Sequence, residues 1–454
     1  MKNLKLTFCS GAGTVTGSNF LLESDDYKLL IDCGLLQTTK IADEENWEPF
    51  MYDSRLIQSL LVTHAHTDHI GRIPKLFHEG FEGKIYSTEP TKDLAEVMLN
   101  DTAKILSHKD KKYELDIIYG NKNLQKVFDR WETVDYQKSI DLGKGFKIVF
   151  KEAGHILGSA IIEISFNNRK IIFTGDLGNS PSPLLPDTDL ITDADYLIME
   201  SVYGDQNHES KDQRRKKLEQ VIEDNFKANG TLIIPTFSLE RSQELLFELN
   251  YLMENNKIPV MPIFFDSPLA IHLTEIFRKH QRYFNNTAKT LIGSGDDIFD
   301  FPGLQTTLNT KESKEIFQVQ APKVIIAGSG MSTGGRILHH EKHYLSDPNN
   351  TILLIGYQSL GTLGRLIEDG AKKISIFKEE ILVRAKVFKI RGYSGHKDSD
   401  NLLNFVEKTT DQIKKVFVVM GEPKAELFLV QRIRDYLGVN AFVPKDGEMV
   451  ELEV

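Results

Sequence analysis

Residues 60–71 read LLVTHAHTDHIG, an apolar run of strand type that ends in His64, His66, Asp68 and His69 before Gly71. In extended backbone the side chains alternate, so His64 and His66 point to the same side and can share one metal ion. Asp68 and His69 follow where the chain turns onto a helix start. From there they can reach a second ion beside the first, at the roughly 3.5–4 Å spacing of two-metal hydrolases. Imidazole and carboxylate without thiolate suit zinc and leave coordination positions open for water, the pattern of a catalytic rather than a structural site. A single histidine here would be read as an ordinary core residue; HxHxDH after such a strand would not.

Further along, His155 in KEAGHILGSA and Asp176 in KIIFTGDLGN also stand where loops leave strands. Asp32 in KLLIDCG holds the same kind of position. Its carboxylate can orient an imidazole through the ring's other N–H without touching metal, although aspartates at strand ends also cap turns.

Composition sets the frame. At ~150 residues per domain, 454 residues suggest two or three domains, and 40% hydrophobic with 26% charged residues is ordinary for a soluble globular protein. With 55 Lys+Arg against 65 Asp+Glu, the formal charge of -10 argues against broad attraction to nucleic acid over the whole surface and leaves room for a local basic groove. Cys9 and Cys33 are too few for a disulfide framework and form no CxxC pair, so they are predicted to be core thiols in a reducing cytoplasm. The opening MKNLKLTFCSGAG lacks the features of a secretory signal, and no stretch approaches the ~20 apolar residues needed to span a bilayer. A cytoplasmic protein without membrane contact is expected.

Short β-rich runs (KLLIDCG, KIIFTGD, YLIMES, GTLIIPTF, KVIIAGS, NTILLIGY) alternate with amphipathic segments, the signature of an α/β chain. Helical patterns at 240–255 and 269–284 follow the TLIIPTF and FFDS runs, which predicts βαβ crossovers and a parallel sheet from about residue 231. The polar stretch HESKDQRRKK at 208–217 is the candidate domain junction. Its Arg214, Arg215, Lys216 and Lys217 could meet phosphates, but a solvated helix face is the plainer reading. In AGSGMSTGGR, the residues Gly328, Ser329, Gly330, Ser332 and Thr333 with their N–H groups could cradle phosphate, a tight turn being the alternative. Arg336 and Lys342 downstream would add positive charge there, or face solvent. Ser238 is predicted to cap a helix beginning near Leu239, and Arg241 to face either substrate or a nearby carboxylate.

Taken in order, Asp32, His64-x-His66-x-Asp68-His69, His155 and Asp176 resemble the four motifs of the metallo-β-lactamase superfamily. That resemblance implies an αββα sandwich with two zinc ions at one edge. It puts His64, His66 and His155 on one ion, Asp68 and His69 on the other, and Asp176 on both. More than half of the chain follows Asp176. In that part Glu200 in IMESVYGD resembles the first β-CASP motif, and His396 in RGYSGHKD resembles the last, where a histidine reaches back to the metals. With FFDSPLA, AGSGMSTGGR and GYQSLGTLGR between them, the whole chain is similar to the β-CASP ribonucleases of bacteria and archaea.

The family resemblance implies a Rossmann-like β-CASP domain over 208–372, inserted into a hydrolase domain made of 1–207 and 373–454, with the active site in the cleft between them. It implies a zinc-dependent ribonuclease, endonuclease or 5′-exonuclease, that hydrolyses RNA through a hydroxide activated by two metals. Asp68 would align the attacking oxygen. His396 would stabilise charge on phosphate or donate a proton, and Glu200 is counted with the catalytic residues. One departure matters: related ribonucleases carry a histidine in the motif that here reads GTLGRLI, with Arg365 and Leu366. Arg365 thereby becomes a candidate phosphate contact, and His339, His340 and His343 the other histidines from which a leaving-group proton could come. DNA-repair members of the Artemis type have valine where His396 stands, so His396 favours RNA. A small-ester or thioester hydrolase on the same zinc scaffold is opposed by the large insertion. A non-catalytic RNA-binding subunit is opposed by the complete ligand set. The oligomeric state, homo-oligomer included, is left open.

Overall fold

The computed structural model describes residues 4–37, 44–106, 113–359, 361–409 and 412–454, which form two compact units. The first contains residues up to Ser182, Pro186–Asn207 and His396–Val454; the second contains Pro183–Leu185 and His208–Gly395. Among the described residues, no helix is long and apolar enough to cross a membrane.

In the first unit two seven-stranded sheets face each other. One runs Met449–Leu452, Leu4–Ser10, Asn19–Glu23, Lys28–Ile31, Ser59–Leu61, Lys84–Ser87, Trp131–Thr133; the other runs Ala441–Phe442, Lys415–Val418, Tyr196–Met199, Arg169–Phe173, Ala160–Phe166, Phe146–Glu152, Ser139–Gly143. Strand Leu4–Ser10 shows why they stack: Leu4, Leu6 and Phe8 alternate to one face and are fully buried. Phe8 meets Phe20 at 5.9 Å and, from the opposite sheet, Phe417 at 5.2 Å between ring centroids. The outer face of the second sheet buries Leu197, Val416 and Val418 against Leu402, Phe405, Leu429 and Ile433 of helices Ser399–Glu407 and Pro423–Leu437. On the first sheet's side, helix Glu89–Leu106 lies against strand Trp131–Thr133. This is the expected layering of helices outside two sheets. Cys9 and Cys33 are unpaired and buried in it, and burial pushes their thiols up to about 12 and about 11.

The second unit holds a six-stranded sheet of order Leu304–Thr306, Ile263–Asp266, Lys323–Ala327, Thr231–Pro235, Thr351–Leu354, Lys386–Lys389, and every neighbouring pair is parallel. Helices Arg241–Glu254 and Pro268–Lys279 supply the crossovers foreseen after TLIIPTF and FFDS. Two local expectations change. Ser238 caps no helix: Glu240 takes the cap position with a left-handed φ of 65°, and the Ser238 hydroxyl lies 3.5 Å from that of Ser267, which caps the next helix through the Ala270 N–H. The segment 373–395, assigned to the returning hydrolase domain, belongs to this unit instead. Strand Lys386–Lys389 extends its sheet, and Ile374, Ile376 and Ile381 pack with Leu345, Ile352 and Ile367.

Lys216 and Lys217 lie on an exposed helix face, as a charge run suggests, but Arg214 and Arg215 are less solvated. Arg214 is buried, donating to the Gly392 carbonyl at 2.7 Å and lying over the Tyr393 ring, while Arg215 donates to Glu248 at 2.5 Å and covers the Tyr251 ring. Arg241 resolves towards a carboxylate, donating to Glu244 and to the Tyr393 carbonyl.

At the end of strand Ile263–Asp266 the fully buried Asp266 accepts from Thr307 at 2.5 Å, Arg336 at 2.6 Å, and Ser313 and His340 at 2.7 Å. Burial alone would raise its pKa; the hydrogen bonds, that of His340 foremost, bring it down to about 2. A folded-state pKa below the unfolded value of ~3.9 means the carboxylate's contribution is complete above that pH and fades as pH falls towards 2. Asp266→Ala is therefore expected to lower unfolding free energy by on the order of 3 kcal/mol at pH 7, since it strands the Arg336 guanidinium without its counter-charge and His340 without its hydrogen-bond partner. Urea unfolding of the full chain should show that gap narrowing below about pH 4; a gap independent of pH would refute the ionised network.

Candidate metal centre

Every strand that feeds the centre does so from its C-terminal end, where the chain leaves the first unit's sheets. Asp32 follows Lys28–Ile31, the HxHxDH segment follows Ser59–Leu61, His155 follows Phe146–Glu152, Asp176 follows Arg169–Phe173, and Glu200 follows Tyr196–Met199. Close backbone approaches lock these loops together. A Cβ on Gly34 would lie 1.5 Å from the Asp68 carbonyl oxygen, so only glycine lets the Asp32 loop pass there. Cys33 N–H and Leu35 N–H donate to the His69 and Thr67 carbonyls at 2.8 and 3.0 Å. A Cβ on Gly178 would lie 1.8 Å from the Gly154 carbonyl oxygen, and Gly178 pairs with His396 as an isolated β-bridge, which joins the His155, Asp176 and His396 loops.

The result is a cluster. Ligand atoms of His64, His66, His155 and Asp176 all fall within 4.8 Å of one another, as do those of Asp176, Glu200 and His396. His64 Nε2 and His155 Nε2 each lie 3.4 Å from Asp176 Oδ2, and His69 Nε2 lies 3.4 Å from Asp176 Oδ1. Asp68 stands at the partly exposed edge, its Oδ2 3.9 Å from His69 Nε2 and outside both groups. Asp32 does not join the ligand atoms: it accepts from His69 Nδ1 at 2.7 Å, the orienting role read from its position. Glu200 accepts from His396 Nδ1 at 3.1 Å on both oxygens, and from the N–H groups of Leu177 and Val202 at 2.6 and 3.3 Å. Those contacts occupy its lone pairs, so Glu200 holds His396 rather than facing outward.

Electrostatics mark the same point. Burial, with the neighbouring His64 and His396 rings, holds the pKa values of His66 and His155 well below normal. Burial would also lower that of His69, but Asp176 and Asp32 outweigh it and raise it well above normal. For Asp176 burial is opposed by His69, His64 and His396, which hold it well below the usual carboxylate range. Burial raises the Asp68 carboxyl. For His396 the loss from burial is exceeded by Glu200 and Asp176, giving about 9.

The donor set fits a divalent cation on its own geometry. With Nδ1 of His69 hydrogen-bonded to Asp32, its Nε2 faces Asp176 Oδ1, and neither of these buried atoms has a hydrogen-bond partner among the described residues. Two such atoms aimed at one point cost free energy unless positive charge lies between them.

The loop residues named as phosphate contacts lie in the second unit and divide. Ser332 is buried and donates to Glu341, and Arg336 is committed to Asp266 and the carbonyls of Thr307 and Leu308. Gly330 is buried with Phe237 where its Cβ would be. Ser329 and Thr333 stay nearer the surface, their hydroxyls 3.1 Å apart, and Arg365 bonds Asp369 four residues on. His340 serves Asp266, while His339 and His343 pack on Phe377 and Phe317. Thr63 and Ser18, which both donate to Asp32, escaped the sequence reading; a hydroxyl just before the first histidine was the available signal.

A two-sheet sandwich with a His/Asp cluster at the strand ends defines a metallo-hydrolase. The chain belongs to the metallo-β-lactamase superfamily, in its β-CASP branch. Residues 21–202 match the metallo-beta-lactamase superfamily domain, 242–367 the Beta-Casp domain, and 380–444 the Zn-dependent metallo-hydrolase RNA specificity domain. It is 35% identical to ribonuclease TTHA0252 of Thermus thermophilus over 92% of this chain and 93% of that one. It is 32% identical to an RNase J-like protein of Methanocaldococcus jannaschii (98% and 99% covered) and 30% identical to transcription termination factor FttA of Methanosarcina mazei (99% and 72%). A crystal structure of a protein of unknown function from Enterococcus faecalis V583 shares the fold, with a TM-score of 0.59 at 14% identity over 99% of this chain and 100% of that one.

Proposed function

We propose that this chain is a cytoplasmic zinc-dependent ribonuclease that hydrolyses RNA phosphodiester bonds. The observation that carries the proposal is the convergence of His64, His66, His155 and Asp176 on one point, with the unpartnered His69 Nε2 and Asp176 Oδ1 beside it. His64, His66 and His155 would hold one ion and Asp68 and His69 a second, with Asp176 shared. Zinc, when bound, supplies acidification of water to near-neutral pKa and neutralises charge on the phosphate.

The chain's own groups do the rest. Asp32 orients His69, and Asp68 at the open edge aligns the attacking water. Glu200 accepts a hydrogen bond from His396 Nδ1–H, so Nε2 is the nitrogen that would meet a phosphate oxygen or the leaving oxygen. RNA as substrate is supported by the matched RNA specificity domain and by the relatives named as ribonucleases. Ser329, Thr333 and Arg365, with side chains towards the surface, are the phosphate contacts of this reading; unpaired Cys9 and Cys33 suit the cytoplasm.

The test is cleavage of 5′-labelled and internally labelled RNA by purified protein, with and without chelator, alongside elemental analysis. Two zinc ions per chain and chelator-sensitive cleavage are expected. Intact activity with one ion or none would remove the two-metal reading, and thioester turnover without RNA cleavage would favour a small-ester hydrolase.

A further inference from the structure

Thr63 joins the strand Ser59–Leu61 to the first histidine of the cluster and is 1% exposed. Its hydroxyl oxygen lies 2.8 Å from Asp32 Oδ2, 3.0 Å from His64 Nδ1 and 3.3 Å from His69 Nδ1. A hydroxyl has one hydrogen to donate and two lone pairs with which to accept. An ionised Asp32 only accepts, so both the Thr63 hydrogen and the His69 Nδ1 hydrogen point to it. The Thr63 oxygen can then only accept from His64, which places a hydrogen on His64 Nδ1.

With a cation between them and Asp176, both rings would thereby be Nδ1–H tautomers. Their Nε2 atoms face Asp176, His64 towards Oδ2 and His69 towards Oδ1. Asp32 also accepts from the Thr63 N–H at 2.8 Å on Oδ1 and from the Ser18 hydroxyl at 3.1 Å on Oδ2, and its contact with a ring nitrogen is to His69, whereas the contact to His64 Nδ1 is made by Thr63. Thr63 is itself held rigidly. Its carbonyl accepts from Ala160 N–H at 2.8 Å, and its side chain fills the space where a Cβ on Gly175, beside Asp176, would sit.

We propose that Thr63 is a positioning residue that serves both ion sites through one hydroxyl. It sets the His64 tautomer directly, and by sharing Asp32 with His69 it keeps the second metal-facing nitrogen in line. The inference rests on the zinc reading above.

Its test is Zn²⁺ titration of the full-length wild type, Thr63→Val and Thr63→Ser against a chromophoric chelator, with ¹⁵N-histidine NMR of the zinc-loaded wild type. Removing an outer partner of a ligand typically weakens metal binding by about 10- to 100-fold. Thr63→Val should show that loss at both sites, Thr63→Ser should stay close to wild type, and the spectra should show Nδ1–H on His64 and His69. Wild-type affinity in Thr63→Val would overturn the Thr63 role alone, whereas a wild type that takes up no Zn²⁺ would remove the zinc reading with it. Should Thr63→Val not fold, the wild-type spectra decide, and a zinc-coordinated Nδ1 on His64 would sink the proposal.

Discussion

Replacing His396 by alanine is expected to lower RNA cleavage by about 100- to 1000-fold, the usual cost of one preorganised transition-state donor, while zinc content stays unchanged. The geometry separates the two effects. His396 Nδ1 is engaged by Glu200 and stands 3.9 Å from Asp176 Oδ2, whereas His64, His66, His69 and His155 surround Asp176 without it. Loss of the ring therefore removes a group from the reacting phosphate and leaves the ion ligands in place. The deficit should fall on kcat rather than KM, because a donor that acts on developing charge contributes little to ground-state binding. Glu200→Gln should move in the same direction by a smaller factor, since an amide can still present one acceptor to the ring. Near-wild-type turnover in His396→Ala would make this histidine a bystander.

What the sequence made legible follows from how local each relation is. His64, His66, Asp68 and His69 lie within six residues, and strand periodicity alone predicts that the first two share a direction. Asp32 orients His69 from 37 residues away, yet a carboxylate at the end of an apolar run was enough to suggest the role. The engagement of Glu200 with His396 spans 196 residues, and resemblance rather than spacing brought the two together. Ser332 and Arg336 read as phosphate contacts because their partners Glu341 and Asp266 carry no sequence mark of being buried beside them. The same limit explains the boundary near residue 373. The hairpin Lys373–Ile376 and Glu379–Leu382 and the strand Lys386–Lys389 look like any β-rich run, and it takes the pairing of the last with Thr351–Leu354 and the packing of Ile374, Ile376 and Ile381 to assign them to the second unit.

RNA cut by this protein is expected to carry 5′-phosphate and 3′-hydroxyl ends. If an activated water attacks phosphorus, the phosphate stays with the downstream fragment and the ribose 2′-hydroxyl is not consumed. A ribonuclease that used that hydroxyl as nucleophile would leave a 2′,3′-cyclic phosphate upstream, so the two outcomes are chemically exclusive. The side chains at the centre agree with the first route. His64, His155 and His69 turn Nε2 to within 3.4 Å of Asp176 as proposed ion ligands, and Asp32 and Glu200 are each committed to a histidine. A single 2′-deoxy substitution at the scissile nucleotide should therefore be cut, with any loss confined to binding contacts made by that hydroxyl. Mass spectrometry of a short oligonucleotide digest reads both predictions at once. Cyclic phosphate ends that persist in chelator would sink the hydrolytic mechanism and the role given to Asp68.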